Sequence, residues 1–545
     1  MAKQITFEQD AREALAEGVA KFARAVKSTL GPRGRYAVVD RGFGSPKVTK
    51  DGATVADEME FSNPIQNVAA RLMRQAASRT ADKAGDGSTT STVLAEGVFL
   101  GAARCVAAGA NPILVQRGLQ SALTRAVEHL RQLSMPVTGN AQIQRVAAIA
   151  SNNSKEVGKI IADAMAKVGN DGVIAIEEGK SVETTVDVVE GMQFDRGYLS
   201  QYFVTHEDEA KVVLQDPYIL LMEEKISNLG QILPILEKVV ATKKPLLIIA
   251  EDIEGEALST LVVNKQRGTL VSAACKAPGY GDRRKAMLLD IAVATGARPI
   301  LKDLGLEPSS ITLKDLGRAK RIELTSDSTT VFRGAGARQD IEERVRQIRR
   351  EIDEVKSDYD REKLQERLAR LVGGIAEIRV GGATETEVKE KKKRFENALA
   401  ATRAAVQDGI LPGGGIAFLR CVAALEDDKI KDQDEKTGVD ILRTALEAPF
   451  RQLAINAGEE PSRLLRKIYY TEGVNQGFDF EKRRECDMID AGIIDSFRVT
   501  RMALENAVSV ASMLFTTDAV ITEIPKEKSH DDHEGHHDGD SMDGY

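Results

Sequence analysis

Apolar residues recur at helical spacing through the first part of the chain. In residues 7–29 they repeat every three or four positions and stop at Gly31-Pro32, which predicts a helix followed by a turn. Residues 64–133 again have a helical pattern, interrupted by GDGSTT at 85–90. These patterns predict a helix-rich segment with tight glycine turns.

The middle of the chain differs, because short β-like runs alternate with helical ones between about residues 172 and 300. The runs are GVIAIEE, YILLM, PLLIIAED and GTLVSAA. Such alternation predicts βα units. A shorter strand-like pair occurs earlier, YAVVD at 36–40 and KVTKDG at 47–52.

A heptad-like pattern follows between residues 338 and 373. Apolar residues step by four, three, four and three, with charges in the gaps, at Ile341, Val345, Ile348, Ile352 and Val355, and resume at Leu364, Leu368 and Leu371. This spacing predicts a structural helical hairpin. Glycines interrupt the chain at Gly373-Gly374 and at Gly191, and spacing alone leaves them as either hinges or ordinary turns.

Length and charge narrow the class of protein. A chain of 545 residues exceeds what a single core supports, so we predict more than one domain. Aromatic residues make up 4% of the chain and Trp is absent, which suits helix-rich α/β architecture. The 75 basic and 83 acidic residues give a net charge of -8, so we expect neither nucleic acid nor membrane as a partner.

The first residues and the cysteines both favour a cytoplasmic protein. MAKQITFEQDAREAL has acidic residues where a signal peptide needs an apolar core, and no later run approaches about 18 apolar residues. The cysteines form no CxxC pair and are expected to be reduced thiols; they are Cys105, Cys275, Cys421 and Cys486.

The last segment, 526–545, is rich in His, Asp and Gly and nearly lacks apolar residues. It cannot bury a core, so we expect it to be disordered. Weak binding of a divalent metal by its His and Asp side chains is the alternative to a merely solvated tail.

Candidate chemistry lies in four glycine-bearing turns. AGDGSTTSTVLAEG (84–97) places hydroxyls at the start of a helix, where free amides bind anions, and Asp86 is suited to the Mg²⁺ of a phosphate chain. Plain N-capping by Ser or Asp is the alternative. STLGPRGR (28–35), TKDG (49–52) and LPGGG (411–415) are similar turns, and a polyphosphate would use all four together.

A series of long motifs in chain order resembles the bacterial-type, group I chaperonin. The motifs include TLGPRGR, TKDGATVA, AGDGSTT, RGYLSQYF, PLLIIAEDIEGEAL, KAPGYGDRRKAMLLDIA, SDYDREKLQERLA, ATRAAVQDGILPGGG and AGIIDSFRVTR. The resemblance extends from about residue 2 to 525. Only the tail falls outside it.

This resemblance implies an α+β and α/β multidomain fold with three domains. A mostly helical equatorial ATP-binding domain would comprise 1–133 plus 409–525, a small intermediate domain 134–190 plus 374–408, and a βα apical domain 191–373. The implied assembly is a homo-oligomer of seven-membered rings, closed by a co-chaperonin. Arg451 and Glu460 match positions of ring–ring contacts and favour a double ring.

The resemblance also implies the nucleotide site. ATP with Mg²⁺ is the implied ligand, and K⁺ is compatible with the site. Asp86 corresponds to the Mg²⁺ ligand and Asp51 to a carboxylate near the γ-phosphate. The further implied contacts are Thr29, Leu30, Gly31, Pro32, Lys50, Gly87, Ser88, Thr89, Thr90, Gly414 and Asp495.

Non-native protein clients, and the co-chaperonin, would bind apolar residues of the apical domain. The matching positions are Tyr198, Tyr202, Phe203, Leu233, Leu236, Leu258, Val262 and Val263. Helical spacing alone would assign such residues to a core.

Three residues depart from the family pattern at the nucleotide site. Asn397 stands where the family has an aspartate that activates the hydrolytic water, and an amide cannot take a proton. We therefore expect slow ATP turnover, with Asp51 as a partial substitute; a slow-cycling holdase or scaffold is the alternative function.

Asp479 and Phe480 replace the usual asparagine and small residue of the adenine pocket, where Phe480 would stack on the base or crowd it.

Overall fold

The computed structural model describes residues 3–40, 46–151, 154–169, 172–179, 181–304, 311–355, 357–426 and 430–523. The chain forms two compact units. Unit 1 combines Met1–Thr138 with Asn397–Tyr545, and unit 2 is Gly139–Glu396. The tail, 526–545, lies outside the described residues, so the expectation that it is disordered stays a prediction. The three-domain division remains a prediction.

The first segment of unit 1 contains β1 (Lys3–Phe7), α1 (Glu8–Lys27), β2 (Ala37–Val39), β3 (Lys47–Thr49), α2 (Gly52–Asp57), α3 (Pro64–Ala84), α4 (Ser88–Ala107) and α5 (Pro112–Leu133). Unit 2 begins with α6 (Asn140–Ala150), α7 (Lys155–Val168), β4 (Val173–Glu178), β5 (Thr185–Val189), β6 (Gly191–Phe194), β7 (Val212–Gln215), β8 (Tyr218–Leu221), α8 (Leu233–Thr242), β9 (Leu246–Ala250), α9 (Gly255–Gln266), β10 (Ser272–Lys276) and α10 (Asp282–Thr295).

Unit 2 continues with β11 (Gly317–Leu324), β12 (Thr329–Gly334), α11 (Arg338–Glu354), α12 (Asp358–Val372), β13 (Ile375–Val380) and α13 (Glu385–Asp408), whose last residues belong to unit 1. The second segment of unit 1 contains β14 (Ile410–Pro412), α14 (Ile416–Ala424), α15 (Gln433–Leu446), α16 (Ala448–Ala457), α17 (Pro461–Tyr470), β15 (Gln476–Asp479), β16 (Arg484–Asp487), β17 (Ile494–Ser496), α18 (Phe497–Phe515) and β18 (Ala519–Glu523).

Unit 1 is a helical unit built around α4. This helix is apolar on most sides because it packs on α1, α3, α15 and α18, and its buried side chains include Leu94, Val98 and Phe99. The strands β1 and β18 pair antiparallel, and so do β2 and β3, as the strand-like pair predicted. The helix predicted over 7–29 is confirmed as α1, and the interruption at 85–90 is confirmed between α3 and α4.

By length and composition, α4 is also apolar enough to cross a membrane, with a mean hydropathy of 1.2. The expectation from the sequence concerned a run of about 18 apolar residues, and α4 is not such a run, because it contains several Ser and Thr residues together with Glu96 and Arg104. Its packing inside unit 1 explains the apolar composition without a membrane.

Unit 2 contains two sheets. The larger has the strand order β10-β9-β8-β11-β12-β6, with β7 paired to β11. Strands β8, β9 and β10 are parallel, and α8 and α9 connect them, so the predicted βα units are confirmed. All five residues of β9 are buried, because helices cover parallel strands on both faces. The smaller sheet has the order β4-β13-β5.

The predicted helical hairpin is confirmed as α11 and α12, which pack on each other. The glycines beside it occupy positions that a side chain would disturb. Gly374 has a φ of +62°, and a Cβ at Gly191 would lie 2.4 Å from Ile375 Cδ1. These constraints are compatible with both hinges and turns, so the hinge function remains a prediction.

Candidate nucleotide site and client surface

The N-terminus of α4 is open to an anion. Its N-cap is Gly87, which has a left-handed φ of +90° and provides no side-chain hydrogen bond to the helix. Asp86 does not cap the helix, since its Oδ1 accepts a hydrogen bond only from the adjacent Gly87 amide, at 2.6 Å. The alternative interpretation of this turn, plain N-capping by Ser or Asp, is therefore not observed. The first amides of α4, beside the Ser88 and Thr89 hydroxyls, form the type of site that binds phosphate.

The TKDG turn lies directly against this N-terminus. A Cβ at Gly52 would lie 2.0 Å from Thr89 Oγ1, so only glycine permits the approach. Asp51 is the N-cap of α2, because its Oδ2 accepts hydrogen bonds from the Thr54 amide at 3.0 Å and the Thr54 hydroxyl at 2.7 Å. The two predicted phosphate turns are thus adjacent.

Asp86 is within electrostatic range of two other carboxylates, Asp51 and Asp495. Burial, together with the negative charge of Asp86, raises the pKa of Asp495 to about 7. Burial likewise raises the pKa of Asp86 to about 6, where the Gly87 amide opposes the shift and Asp51 adds to it. Asp86 is solvent-accessible as a residue, while the surrounding protein removes much of the water from its carboxyl; we call the region around Asp51, Asp86 and Asp495 the cleft of unit 1.

This cleft fits a Mg²⁺ ion in its chemistry. In the part of the chain that the structure describes, no cationic side chain is among the groups that shift the pKa of Asp86 or Asp495, so neither carboxylate has a cationic partner there. Within the described ranges, no three His, Cys, Asp or Glu side chains form a complete metal site. Mg²⁺ in nucleotide sites commonly takes one or two carboxylates and completes its shell with water and phosphate oxygens, which matches this donor set.

The first turn, Thr29 to Pro32, joins the site through several contacts. Lys50 Nζ, next to Asp51, donates to the Pro32 carbonyl at 3.4 Å, and burial lowers the pKa of Lys50. Gly31 has a φ of +79°, and a Cβ there would lie 2.2 Å from Leu453. Leu30 packs on the same apolar cluster as Leu453. Thr29 is buried and donates its hydroxyl to Val26 O, at 2.8 Å.

Gly414 and Asp495 reach the site from the second segment of unit 1. Strand β17 pairs with β14 so that Asp495 is opposite Leu411, two residues before Gly413. Gly414 has a φ of +64°, and a Cβ would lie 2.8 Å from Met488 Cε. Met488 belongs to the apolar cluster that also contacts Leu30. The loop LPGGG therefore lies beside the first turn and the carboxylates.

Asp479 and Phe480 have structural partners. Asp479 Oδ1 accepts the amides of Glu481 and Lys482 at 2.9 and 3.0 Å, which closes the hairpin turn between β15 and β16. Phe480 is 4% exposed and makes edge-to-face contacts with Phe450 and Phe478, at centroid distances of 5.2 and 5.1 Å. The ring of Phe480 is thus packed in the core, and whether it stacks on a base or crowds it stays a prediction.

Arg33 is a residue of this site that sequence reasoning missed. Its Nε donates to the Phe480 carbonyl at 3.0 Å and its Nη2 to the Glu481 carbonyl at 2.9 Å, so it fixes the first turn to the β15–β16 hairpin. The position of Arg33 inside the GPRGR turn could have drawn attention to it. Its partners are backbone carbonyls, however, and a sequence pattern does not identify them.

Asn397 lies on α13 beside the phosphate turn. A Cβ at Gly85 would lie 3.0 Å from the Asn397 carbonyl oxygen and 2.4 Å from Ala400 Cβ, and Gly85 has a φ of +78°. Among the residues that the structure describes, the Asn397 side-chain amide has no hydrogen-bond partner. The backbone of α13 at Asn397 thus lies next to Gly85, and the half-buried side chain of Asn397 has no partner that would fix it for the fold among the described residues.

The predicted client residues of unit 2 fall into three classes. Tyr202, Leu233 and Val263 are 64%, 43% and 39% exposed. Three are partly buried against the core of the large sheet: Tyr198, Leu258 and Val262. Phe203 and Leu236 are 0% and 5% exposed, and their assignment to a client surface stays a prediction. They occur on the inner sides of a 3₁₀ turn, Gln201–Phe203, and of α8, where helical spacing correctly indicates core.

The exposed three come from elements that pack together. The turn Gln201–Phe203 contacts α9, and a second 3₁₀ turn, Leu229–Gln231, contacts both α8 and α9. Tyr202, Leu233 and Val263 consequently define an apolar face on neighbouring elements, which we call the apical face.

Residues 22–525 match the TCP-1/cpn60 chaperonin family, and the chain belongs to this family. Chaperonins of the family are ATPases that assist protein folding. Over 547 aligned residues the chain is 54% identical to Chaperonin GroEL 1 of Rhodopirellula baltica, a bacterial group I chaperonin; the alignment covers 99% of this chain and 96% of that protein. The predicted family and the multidomain α/β fold class are thus confirmed.

Replacing Asp495 by Asn should stabilise unit 1 in a pH-dependent manner. A carboxyl whose pKa is raised from 3.8 to about 7 by folding binds more protons folded than unfolded in that window, so ionisation opposes folding as pH rises. We expect equal melting temperatures of variant and parent near pH 3, and a higher melting temperature of Asp495→Asn at about pH 8, without Mg²⁺ or nucleotide. Calorimetry checks this. The exposed Asp490→Asn is the control, and a gap of the same size at both pH values would contradict the buried-carboxyl explanation.

Proposed function

We propose that this chain is the subunit of an ATP-driven folding chaperone that binds Mg·ATP in the cleft of unit 1. The observation that carries the proposal is the convergence of four separate turns on the uncapped N-terminus of α4, with Asp51, Asp86 and Asp495 around it. Neither the open helix nor the uncompensated carboxylates serve the fold. Both are suited to a triphosphate and its metal ion.

Each part of the cleft has a distinct task in this proposal. The amides of Ser88 to Thr90 and the Thr89 hydroxyl donate hydrogen bonds to phosphate oxygens, and Lys50 adds a positive charge beside the first turn. Asp86, with Asp495 beside it, would hold the Mg²⁺, which would offset the negative charge of the phosphates. Asp51 keeps its carboxylate towards the γ-phosphate, while its Oδ2 holds α2 in place through Thr54.

Water activation is the weak step of this site. The helix α13 brings an amide, Asn397, to the Gly85 turn, and an amide orients a water through its carbonyl oxygen but accepts no proton. We therefore propose slow turnover, with Asp51 as the remaining base. A slow-cycling holdase or scaffold is the second candidate function, and Asn397 is the observation that favours it.

The assembly follows the family pattern in this proposal. Homo-oligomeric seven-membered rings, stacked in pairs and closed by a co-chaperonin, would encapsulate non-native proteins in the cytoplasm. Arg451 and Glu460, which we assign to ring–ring contacts, are partly or fully exposed in unit 1. Mass measurement of the purified oligomer, with and without ATP, tests the ring number.

Client capture is assigned to the apical face. We expect Tyr202→Ser combined with Val263→Ser to weaken binding of a denatured client about tenfold or more while leaving the fold intact, since both side chains are already in water. The measurement is suppression of aggregation of an unfolded test protein, followed by its recovery on addition of ATP and co-chaperonin. Recovery with ATP supports the folding machine, whereas capture without ATP-dependent recovery supports the holdase.

The matched control is a polar substitution outside the face. Val182→Ser, also at an exposed position of unit 2, should leave capture unchanged. Equal loss in this control, or full capture by the double variant, would contradict the assignment of the apical face.

A further inference from the structure

The start of the first turn is held by Asn456 of α16. Asn456 Nδ2 donates hydrogen bonds to the Lys27 carbonyl at 2.9 Å and to the Leu30 carbonyl at 3.0 Å. Its Oδ1 accepts a hydrogen bond from Gln452 Nε2 at 2.8 Å, which fixes the side-chain amide in this orientation. The last carbonyls of a helix lack partners within that helix, so Asn456 satisfies the end of α1 and orders the turn that follows it.

The end of the first turn is held by the next residue, Arg33. Its Nε and Nη2 donate to the carbonyls of Phe480 and Glu481, at 3.0 and 2.9 Å. A guanidinium presents its donors in a rigid plane, so two bonds from one Arg fix a direction as well as a distance. The first turn cannot leave the β15–β16 hairpin without the loss of both bonds.

Helix α16 supports the first turn and the hairpin together. It carries Phe450, Leu453 and Asn456 at intervals of three residues, on one side of the helix. The ring of Phe450 contacts that of Phe480 at a centroid distance of 5.2 Å, and Leu453 lies 2.2 Å from where a Cβ at Gly31 would be. The turn, the hairpin and α16 therefore contact one another pairwise. We call Arg33 and Asn456 the turn anchors.

The sequence of the first turn makes its ordering costly. Gly31 and Gly34 lie within a few residues of each other, and glycine loses more conformational freedom on ordering than any other residue. A turn that became ordered only when a ligand bound would subtract this cost from the free energy of binding. Contacts that order the turn beforehand remove the cost from the binding step.

The first turn borders two other turns of the proposed site. Lys50, from the TKDG turn, donates from Nζ to the Pro32 carbonyl at 3.4 Å. Leu30 packs on the apolar cluster that includes Met488, and Met488 Cε would lie 2.8 Å from a Cβ at Gly414 of the LPGGG loop. A shift of the first turn would therefore change distances between groups that a bound nucleotide would contact together.

We propose that Arg33 and Asn456 are positioning residues for the nucleotide: they hold the first turn in its binding shape before Mg·ATP arrives, and so set the affinity without taking part in hydrolysis. The inference rests on the proposed function, because it takes the cleft of unit 1 to be the Mg·ATP site. When only a fraction of the protein has the binding shape, the apparent Kd rises by the inverse of that fraction. The hydrolysis rate of the bound complex is then unchanged.

Two variants that keep the net charge test the turn anchors. Asn456→Leu removes both donated hydrogen bonds at a similar side-chain volume, and Arg33→Lys keeps the positive charge but loses the forked pair of donors. We expect the Kd for Mg·ATP to rise about tenfold in Asn456→Leu and about threefold in Arg33→Lys. The single-turnover hydrolysis rate at saturating Mg·ATP should stay within about twofold of the parent. Titration calorimetry and rapid-quench kinetics measure the two quantities.

Hydrogen exchange gives a readout that does not depend on ATP. The first turn is closed by the Gly34 amide, which donates to the Gly31 carbonyl at 3.1 Å, and by the Arg35 amide, which donates to the Ser28 carbonyl at 2.8 Å. Without nucleotide, these two amides should exchange faster in both variants than in the parent, because the turn opens more often.

Each variant has a matched control. Arg24→Lys makes the same substitution at an exposed position of α1, and Asn140→Leu does so at the exposed start of α6. Neither control should change the Kd or the exchange of the turn. Arg33 is exposed whereas Asn456 is partly buried, so Arg33→Lys still tests the proposal if melting curves show that Asn456→Leu does not fold.

The outcomes separate this inference from the proposed function. A parent protein that binds no Mg·ATP would reject the proposed nucleotide site, and with it the role of the turn anchors. Mg·ATP binding in the parent with an unchanged Kd in the variants would reject the role of the anchors alone. A lower single-turnover rate at unchanged Kd would also overturn it, because the two residues would then act on hydrolysis rather than on binding.

Discussion

Asn397→Asp should raise steady-state ATP turnover by about 10²-fold or more, which is the usual contribution of a positioned general base. The side chain needs no new space, since Asp and Asn are nearly isosteric. The amide that it replaces has no hydrogen-bond partner among the described residues, so the exchange disrupts no contact of the fold. Phosphate release under saturating Mg·ATP measures the effect.

Two further variants sharpen this result. Asn140→Asp makes the same chemical change at an exposed helix start outside the site and should leave turnover unchanged. Asp51→Asn should remove most of the residual parental activity, and it preserves the cap of α2, because Asn is as good an N-cap as Asp. Parental turnover equal to that of Asn397→Asp would reject the slow cycle and the holdase together.

Asp86→Asn should nearly abolish Mg·ATP binding, with affinity reduced about 100-fold, while the free protein becomes more stable at neutral pH. The loss follows from removing one of two carboxylates available to the metal. The gain follows because burial raises the pKa of Asp86 to about 6 from 3.8, so its ionisation opposes folding as pH rises through that window. Titration calorimetry with Mg·ATP and melting curves at about pH 5 and 8 measure the two effects.

Asp86→Asn is informative because its two expected effects are opposite: Mg·ATP affinity falls while the stability of the free protein rises. A residue that serves only the fold would lose stability when replaced, as would a cap of α4. Asp82→Asn, an exposed carboxylate near the end of α3, is the control and should change neither quantity. Unchanged Mg·ATP affinity in Asp86→Asn would contradict the proposal that the metal ion binds in this cleft.

Much of the fold was predictable because its signals are local. The periodicity of α1, the break at GDGSTT and the apolar run of β9 each depend on a few neighbouring residues, and all three appear where expected. The antiparallel β1–β18 pair was not predicted, since it joins residues such as Ile5 and Ile521 across almost the whole chain. No local pattern indicates such a partner.

The candidate nucleotide site was predictable in its turns and less so in its side chains. Glycines that need a positive φ, such as Gly31 and Gly414, stand out in a sequence, and the structure brings their turns together. The contact between Phe480 and Phe450 could not be predicted, because the two residues are thirty positions apart and only the fold reveals it. The burial of Phe203 and Leu236 could be predicted from the helical pattern, although the resemblance implies a client surface at these positions.

The discontinuity of unit 1 affects how the chain emerges from the ribosome. When residue 396 has been synthesised, every residue of unit 2 exists, whereas unit 1 still lacks α14 to α18. Helices α3 and α4 then have no α18 to cover their apolar sides, and β1 has no β18. Unit 1 therefore cannot complete its core until the last part of the chain has been translated, and part of that core is exposed to water until then. A folding chaperone of this design thus itself passes through an aggregation-prone stage during its synthesis.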